Sequence, residues 1–210
     1  MYKEFGFKLG GASYMCKVKF LVVVDMQNDF LTGSLANYKQ NVVKENTIKL
    51  IDRMSDEASM DSMLYIMVTR DTHKEDYMET LEGKNLPVPH CIKGTEGWEV
   101  DPDIQVALDR ADEKDFVFVD YVDKPTFGSY ALQDKFDEII YNVDFEHKND
   151  VTFTYCGVCT DICVVSNVLL TRANYPNNEI SVVRDATAGV TTELENSAID
   201  VMKSCQIQII

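Results

Sequence analysis

The chain has 210 residues, 45% hydrophobic and 26% charged, which suits a single soluble domain with a sizeable core. Thirty-five acidic residues against 20 basic ones give a formal net charge of -15, a field that repels phosphate backbones and anionic lipid and so argues against nucleic acid and membrane partners. The start carries no secretion signal, and the first apolar run, residues 20–24, is far short of the roughly 20 residues that span a bilayer, so the six cysteines are expected as reduced thiols in the cytoplasm.

In chain order, residues 1–18 read as an N-terminal extension, and a valine-rich strand follows over residues 19–24, ending at Asp25. Its continuous apolar run suits a strand buried on both faces of a parallel sheet. Residues 42–54 space Val43, Ile48, Leu50, Ile51 and Met54 between charges, the pattern of an amphipathic helix. A second strand covers 63–68 and leads to Thr69, Arg70 and Asp71. Residues 72–103 are strand-poor and rich in Gly and Pro; a loop this long in a compact domain points to function. A third strand covers 116–119, with Lys124 beyond it, and a helix spans 131–140. The fourth strand, 151–155, enters Cys156-Gly157, with a helix over 161–173. A fifth strand, 180–183, ends at Arg184-Asp185, and a helix over 197–204 precedes a last strand within 206–210. Strands alternating with helices imply crossover connections: an α/β fold in three layers, α/β/α, around a parallel sheet, forming one domain over residues 19–210.

Ligands of open parallel sheets bind beyond the carboxyl ends of the strands. That rim should collect Asp25, Asp71, Lys124, the 156–163 turn and Asp185. Cys163 sits where a strand turns into a helix, and the positive helix end favours a thiolate, with free backbone N–H groups nearby for an oxyanion. Asp25 is placed to take its proton and Lys124 to hold the thiolate. The alternatives are a cysteine packed as a small hydrophobe, or a metal or redox cluster on Cys156, Cys159 and Cys163. Asp71 and His73 alternate onto one side just past a strand; with His90, and Glu82 between, they form a set suited to zinc, iron or manganese, unless the histidines are a solvated loop pair. His147 reads as an exposed loop residue, and Trp98 as core packing.

Asp25-Met26-Gln27-Asn28-Asp29-Phe30, Lys124-Pro125-Thr126-Phe127 and Gly157-Val158-Cys159-Thr160-Asp161-Ile162-Cys163-Val164 together resemble the cysteine hydrolases of the isochorismatase-like superfamily, in order over most of the chain. The resemblance implies the isochorismatase-like hydrolase fold, with Asp25 as general base, Lys124 as polarising cation and Cys163 as nucleophile. It implies an oxyanion hole from the amides of Cys159 and Cys163, a cis bond between Val158 and Cys159, and a structural Cys156. Within the superfamily the chain looks most like the nicotinamidases and pyrazinamidases. That implies a divalent metal, zinc first and iron or manganese as alternatives, on Asp71, His73, His90 and Glu82. It also implies a small amide substrate lined by Phe30, Val158 and Cys159, and a homo-oligomer. Thr72 stands where many nicotinamidases carry Trp, and Tyr77 falls in a stretch where some carry another His. Other members cleave ureido or carbamoyl amides without metal, and a catalytically silent binding protein on the same fold is the alternative from another class.

Overall fold

The computed structural model describes residues 17–143 and 150–210. The chain order is β1 (Lys17–Val24), α1 (Asn28–Leu31), α2 (Gln40–Asp56), β2 (Ser62–Asp71), α3 (Leu81–Asn85), α4 (Pro102–Asp112), β3 (Val117–Lys124), α5 (Tyr130–Val143), β4 (Val151–Val158), α6 (Val165–Asn174), β5 (Glu179–Ala188), α7 (Thr192–Ser204) and β6 (Gln208–Ile209). The six strands form one sheet in the order β3-β2-β1-β4-β5-β6, and every pairing is parallel. The expected α/β/α layering is therefore present.

Strand alternation builds the layers. Leu21 and Val23 of β1 join a core with Val43, Leu50 and Ile51 of α2 and Ile104 and Leu108 of α4. Phe20, Val22 and Val24 face the other way, onto Leu132 and Phe136 of α5, Val168 of α6 and Ile199 and Met202 of α7. Because β1 is buried on both faces, its run is apolar throughout rather than alternating. The chain works outward from β1 through β2 to β3, then returns to β4 on the other side, so the sheet's switch point lies between β1 and β4.

The strands outlast their apolar runs. β2 continues through Thr69 and Arg70 to Asp71, β3 runs to Lys124, and Asp71 pairs in register with Lys124. Backbone ladders are indifferent to side-chain polarity, so the polar residues at the strand ends stay in the sheet. One rim expectation is corrected. Asp185 is exposed and lies inside β5, because the register jumps from Tyr155 opposite Val182 to Gly157 opposite Thr187. Residues 183–186 stand opposite Cys156 alone, with Arg184 and Asp185 turned to solvent, and Thr187 and Ala188 take the rim position. The long 72–103 segment carries only short helices before α4. Of the extension expected over 1–18, Lys17 and Val18 open β1; residues 1–16 and His147 lie outside the described residues.

Candidate active site

Asp25 leaves β1 with φ at +51°, a left-handed turn that non-glycine residues seldom adopt. Its N–H donates to the Thr69 carbonyl at 3.1 Å, and the Thr69 hydroxyl donates to Asp25 Oδ1 at 2.7 Å. This leaves Oδ2 facing Lys124 Nζ at 2.6 Å, with both side chains at 0% exposure. The same ammonium lies 3.4 Å from Cys163 Sγ and 3.5 Å from Asp71 Oδ1, and donates to the Thr126 carbonyl at 3.3 Å. Thus three strand ends and the turn after β4 bring the three residues singled out in the sequence into direct contact. Burial alone would lower the Lys124 pKa, but Asp25, Cys163 and Asp71 together hold it well above the ordinary lysine value, so the ammonium stays charged. For Asp25 burial outweighs the Lys124 attraction and raises the carboxyl.

The turn that carries Cys163 begins at Gly157, where φ is +110° and a Cβ would collide with the Val24 backbone, so only glycine fits. The Val158–Cys159 peptide is cis. Thr160–Val164 then forms a wide π turn, closed by Val164 N–H on the Cys159 carbonyl at 3.0 Å, before α6 starts at Val165. Single π turns recur at functional sites. Cys163 is thus two residues ahead of the regular helix, where burial, helped by Asp25 and Asp71, pushes the thiol's pKa up against the pull of Lys124 and of the helix end. Cys156 and Cys159 are likewise pushed up by burial, each to about 12, and Cys156 Sγ rests on the Val22 carbonyl inside the sheet. Among the described residues the three thiols of the turn do not gather into a ligand group.

The ligand group that does form is Asp71, His73, Glu82 and His90, whose donor atoms all lie within 4.8 Å of one another. His73 Nε2 is 2.9 Å from Asp71 Oδ2 and 3.6 Å from Glu82 Oε1; His90 Nε2 is 3.3 Å and 3.8 Å from the same two oxygens. His90 Nδ1 donates to the Val88 carbonyl at 2.8 Å, which turns Nε2 toward Asp71. A ring nitrogen and a carboxylate oxygen this close share a positive centre, a proton in a hydrogen bond or a metal ion in its place, and two imidazoles with two carboxylates suit a divalent transition ion. The residues therefore fit a metal. The histidines are buried, not solvated. Burial would raise Asp71, yet the hydrogen bonds from His73 and His90 hold it well below the usual carboxylate range. Phe30 lies with its ring 5.6 Å from that of His90, beside this set, and Val158 and Cys159 belong to the same packed cluster.

Comparison with known proteins decides the family: the isochorismatase domain profile matches residues 19–210. The chain belongs to the isochorismatase family. It is 23% identical to the nicotinamidase/pyrazinamidase of Mycobacterium tuberculosis over 203 residues, covering 92% of this chain and 98% of that one. Among solved structures it resembles the nicotinamidase/pyrazinamidase of Bacillus subtilis, at 22% identity and a TM-score of 0.72, with 91% of this chain and 98% of that chain covered. It also resembles the pyrazinamidase of Pyrococcus horikoshii solved in complex with zinc, at 25% identity and a TM-score of 0.66, with the same coverage.

Several residues of this family member escape a reading based on reactive groups alone. Gln27, fully buried, accepts from Asp71 N–H at 2.7 Å and donates to the carbonyls of Asp71 at 2.9 Å and Trp98 at 2.8 Å. It grips the backbone of the one carboxylate that faces both the ligand set and Lys124. Asp29 accepts from Cys91 N–H at 2.7 Å and so ties the Phe30 helix to the His90 loop. Tyr77 packs its ring 4.6 Å from His73 and 5.0 Å from His90. Both Gln27 and Asp29 stand within the 25–30 motif, which was their only signal. Trp98 joins the core; its indole donates to Thr72 at 2.8 Å and Arg70 lies over its ring.

Proposed function

We propose that the protein is a metal-assisted amidohydrolase of the nicotinamidase type, converting nicotinamide and water to nicotinate and ammonia through a thioester on Cys163. The observation that carries this reading is the single buried ammonium of Lys124, in reach of Asp25, Cys163 and Asp71 at once. It joins a base and a nucleophile to the ligand set. The names of the relatives support the substrate class. A divalent ion on Asp71, His73, His90 and Glu82, zinc or else iron or manganese, would supply a Lewis-acidic seat for the pyridine nitrogen. Phe30 packs on the ring, and Val158 and Cys159 line the pocket beside the amide.

The protein groups then divide the work. Asp25 Oδ2, whose partner oxygen is occupied by Thr69, takes the thiol proton as the substrate carbonyl arrives. Since the resting thiol is protonated, transfer and attack are coupled, and Lys124 stabilises the sulfur as it becomes anionic. The sulfur adds to the amide carbon, and the oxyanion sits against the N–H groups of Cys159 and Cys163. Asp25 returns the proton to the amide nitrogen, the C–N bond breaks and ammonia leaves. Water gives a proton to Asp25 and its oxygen adds to the thioester; the C–S bond breaks and the sulfur recovers its proton.

The test is ammonia release from nicotinamide, pyrazinamide and a panel of ureido and carbamoyl amides, with and without chelator. Cys163→Ala should lower turnover of the pyridine amide by about a thousandfold or more while the fold persists, and chelator should depress the wild type. Substantial activity in Cys163→Ala would refute the thioester. Full, chelator-resistant activity on ureido or carbamoyl substrates would assign the protein to that branch, and no hydrolysis at all to the silent one.

A further inference from the structure

Glu195 lies on α7, yet its carboxylate is 3% exposed and turns toward a segment from the other end of the chain. A buried carboxylate persists only where it is paired and hydrogen-bonded. Lys39 Nζ bridges both its oxygens, at 3.0 and 2.9 Å, and Gly189 N–H donates to it at 3.2 Å. The Tyr38 hydroxyl donates to it at 3.4 Å. Asn37 completes the knot: its Nδ2 donates to the Gly189 carbonyl at 2.8 Å and its Oδ1 accepts from Lys39 N–H at 2.8 Å. Two short links run from this knot to the site. Asn37 N–H donates to the Phe30 carbonyl at 2.9 Å, and Val190 N–H donates to Asp161 Oδ1, in the nucleophile turn, also at 2.9 Å. Gly189 is held so tightly that a Cβ would come within 2.7 Å of Asp161 Oδ1 and 2.8 Å of Glu195 Cβ.

We propose that the Glu195–Lys39 pair is a clasp that positions the Phe30 wall of the pocket against the nucleophile turn, and so sets the affinity for ring-bearing amides. Neither residue touches the reacting atoms; both are positioning residues. The inference rests on the substrate reading above. The knot lies outside the sheet: the pair joins α7 to the residue that precedes α2, and Lys39, at 35% exposure, can turn to water when its partner is neutralised.

Glu195→Gln removes the charge and keeps an acceptor for Gly189. It should raise KM for nicotinamide about tenfold, the equivalent of one charge-assisted hydrogen bond, with kcat and Tm nearly unchanged. Lys39→Met should raise KM likewise with kcat unchanged, but with a lower Tm because it leaves the buried carboxylate unpaired; the double variant should regain that Tm with a KM no worse than either single one, and Lys39→Arg, whose fork can span the carboxylate, should retain the wild-type KM. Amide hydrogen exchange gives a readout that needs no substrate: the N–H groups of Asn37 and Val190 should exchange faster in Glu195→Gln, and those of β1 should not. An unchanged KM in an active enzyme, or kcat and Tm falling together, would overturn the clasp. If the wild type hydrolyses no pyridine amide, the substrate reading fails on its own. Unaltered exchange at Asn37 and Val190 would then still overturn the clasp, and faster exchange would uphold it as a loop-positioning device.

Discussion

Lys124 is a lysine without water. At 0% exposure its charge is offset by Asp25, by Asp71, by the Cys163 sulfur and by the Thr126 carbonyl, so the ammonium and the two carboxylates form one electrostatic unit. The base proposed within that unit has a predictable pH signature. In the proposed mechanism Asp25 acts only when ionised, and burial raises its pKa, so the acid limb of kcat/KM should lie above the roughly 4 of an ordinary carboxylate. The Thr69 hydroxyl bond lowers that pKa; Thr69→Val should therefore move the limb to still higher pH. A pH–rate profile checks both statements, and a limb that stays put in Thr69→Val would remove Asp25 from the role of base. At this scale the sequence was informative where chemistry is local. Asp25, Lys124 and Cys163 could be picked out as reactive types following strands, and Asp71-x-His73 as a pair on one side. Gln27 and Tyr77 were not legible, because their roles consist of contacts with residues distant in the chain. The burial that raises the Cys163 thiol's pKa was not legible either, because burial, unlike the helix end, has no sequence signature.

Among the elements, α3 is the shortest of those that carry a ligand. It is one turn, Leu81–Asn85, bearing Glu82, and Thr80 caps it by accepting from Gly83 N–H at 3.0 Å. A helix this short has little stability of its own, and its cap is worth about 1 kcal/mol. Thr80→Ala should therefore weaken zinc binding by about three- to tenfold through a looser Glu82 while Tm barely moves, as competition against a chromogenic chelator would show. Unaltered affinity would mean that Glu82 is not a ligand or is held by other means. Elements with a clean apolar period, such as β1, β2 and α2, could be read in advance. The polar ends of β2 and β3 could not, because hydrogen-bonded ladders extend past the last apolar side chain. α4 had a readable signal in Asp101 followed by Pro102, a capping aspartate and a first-turn proline, with Ile104, Ala107, Leu108 and Ala111 on one face; only its first two residues fall within the 72–103 loop, and the sequence reading assigned no element to the rest. The β5 bulge that expelled Asp185 from the rim is a register event between two strands and has no marker in either alone.

For the molecule as a whole, buried thiols link stability to alkaline pH. Cys156 and Cys159 hold their protons to about 12 when folded, whereas an unfolded chain releases them near the ordinary thiol value of about 8.5. Folded pKa values above the unfolded ones mean that their contribution is complete below about pH 8.5 and is lost as pH rises toward 12. For the fully buried Cys156 this is at most of the order of 5 kcal/mol. Urea midpoints should thus fall between about pH 8 and about pH 10.5, and fall less steeply in Cys156→Ala; equal slopes would show that other groups govern the alkaline limb.

The central place of β1 has a consequence for how the protein is made. β1 pairs with β2 on one side and with β4 on the other, and β4 is translated only after β2 and β3 are complete. A ribosome that has released β3 has therefore produced half a sheet whose open edge is its most apolar strand, with the backbone groups of β1 that face β4 unpaired along it. Such an edge invites pairing with another nascent chain. The interval before β4 emerges is the period in which synthesis of this protein most needs a chaperone or a low concentration of its own kind.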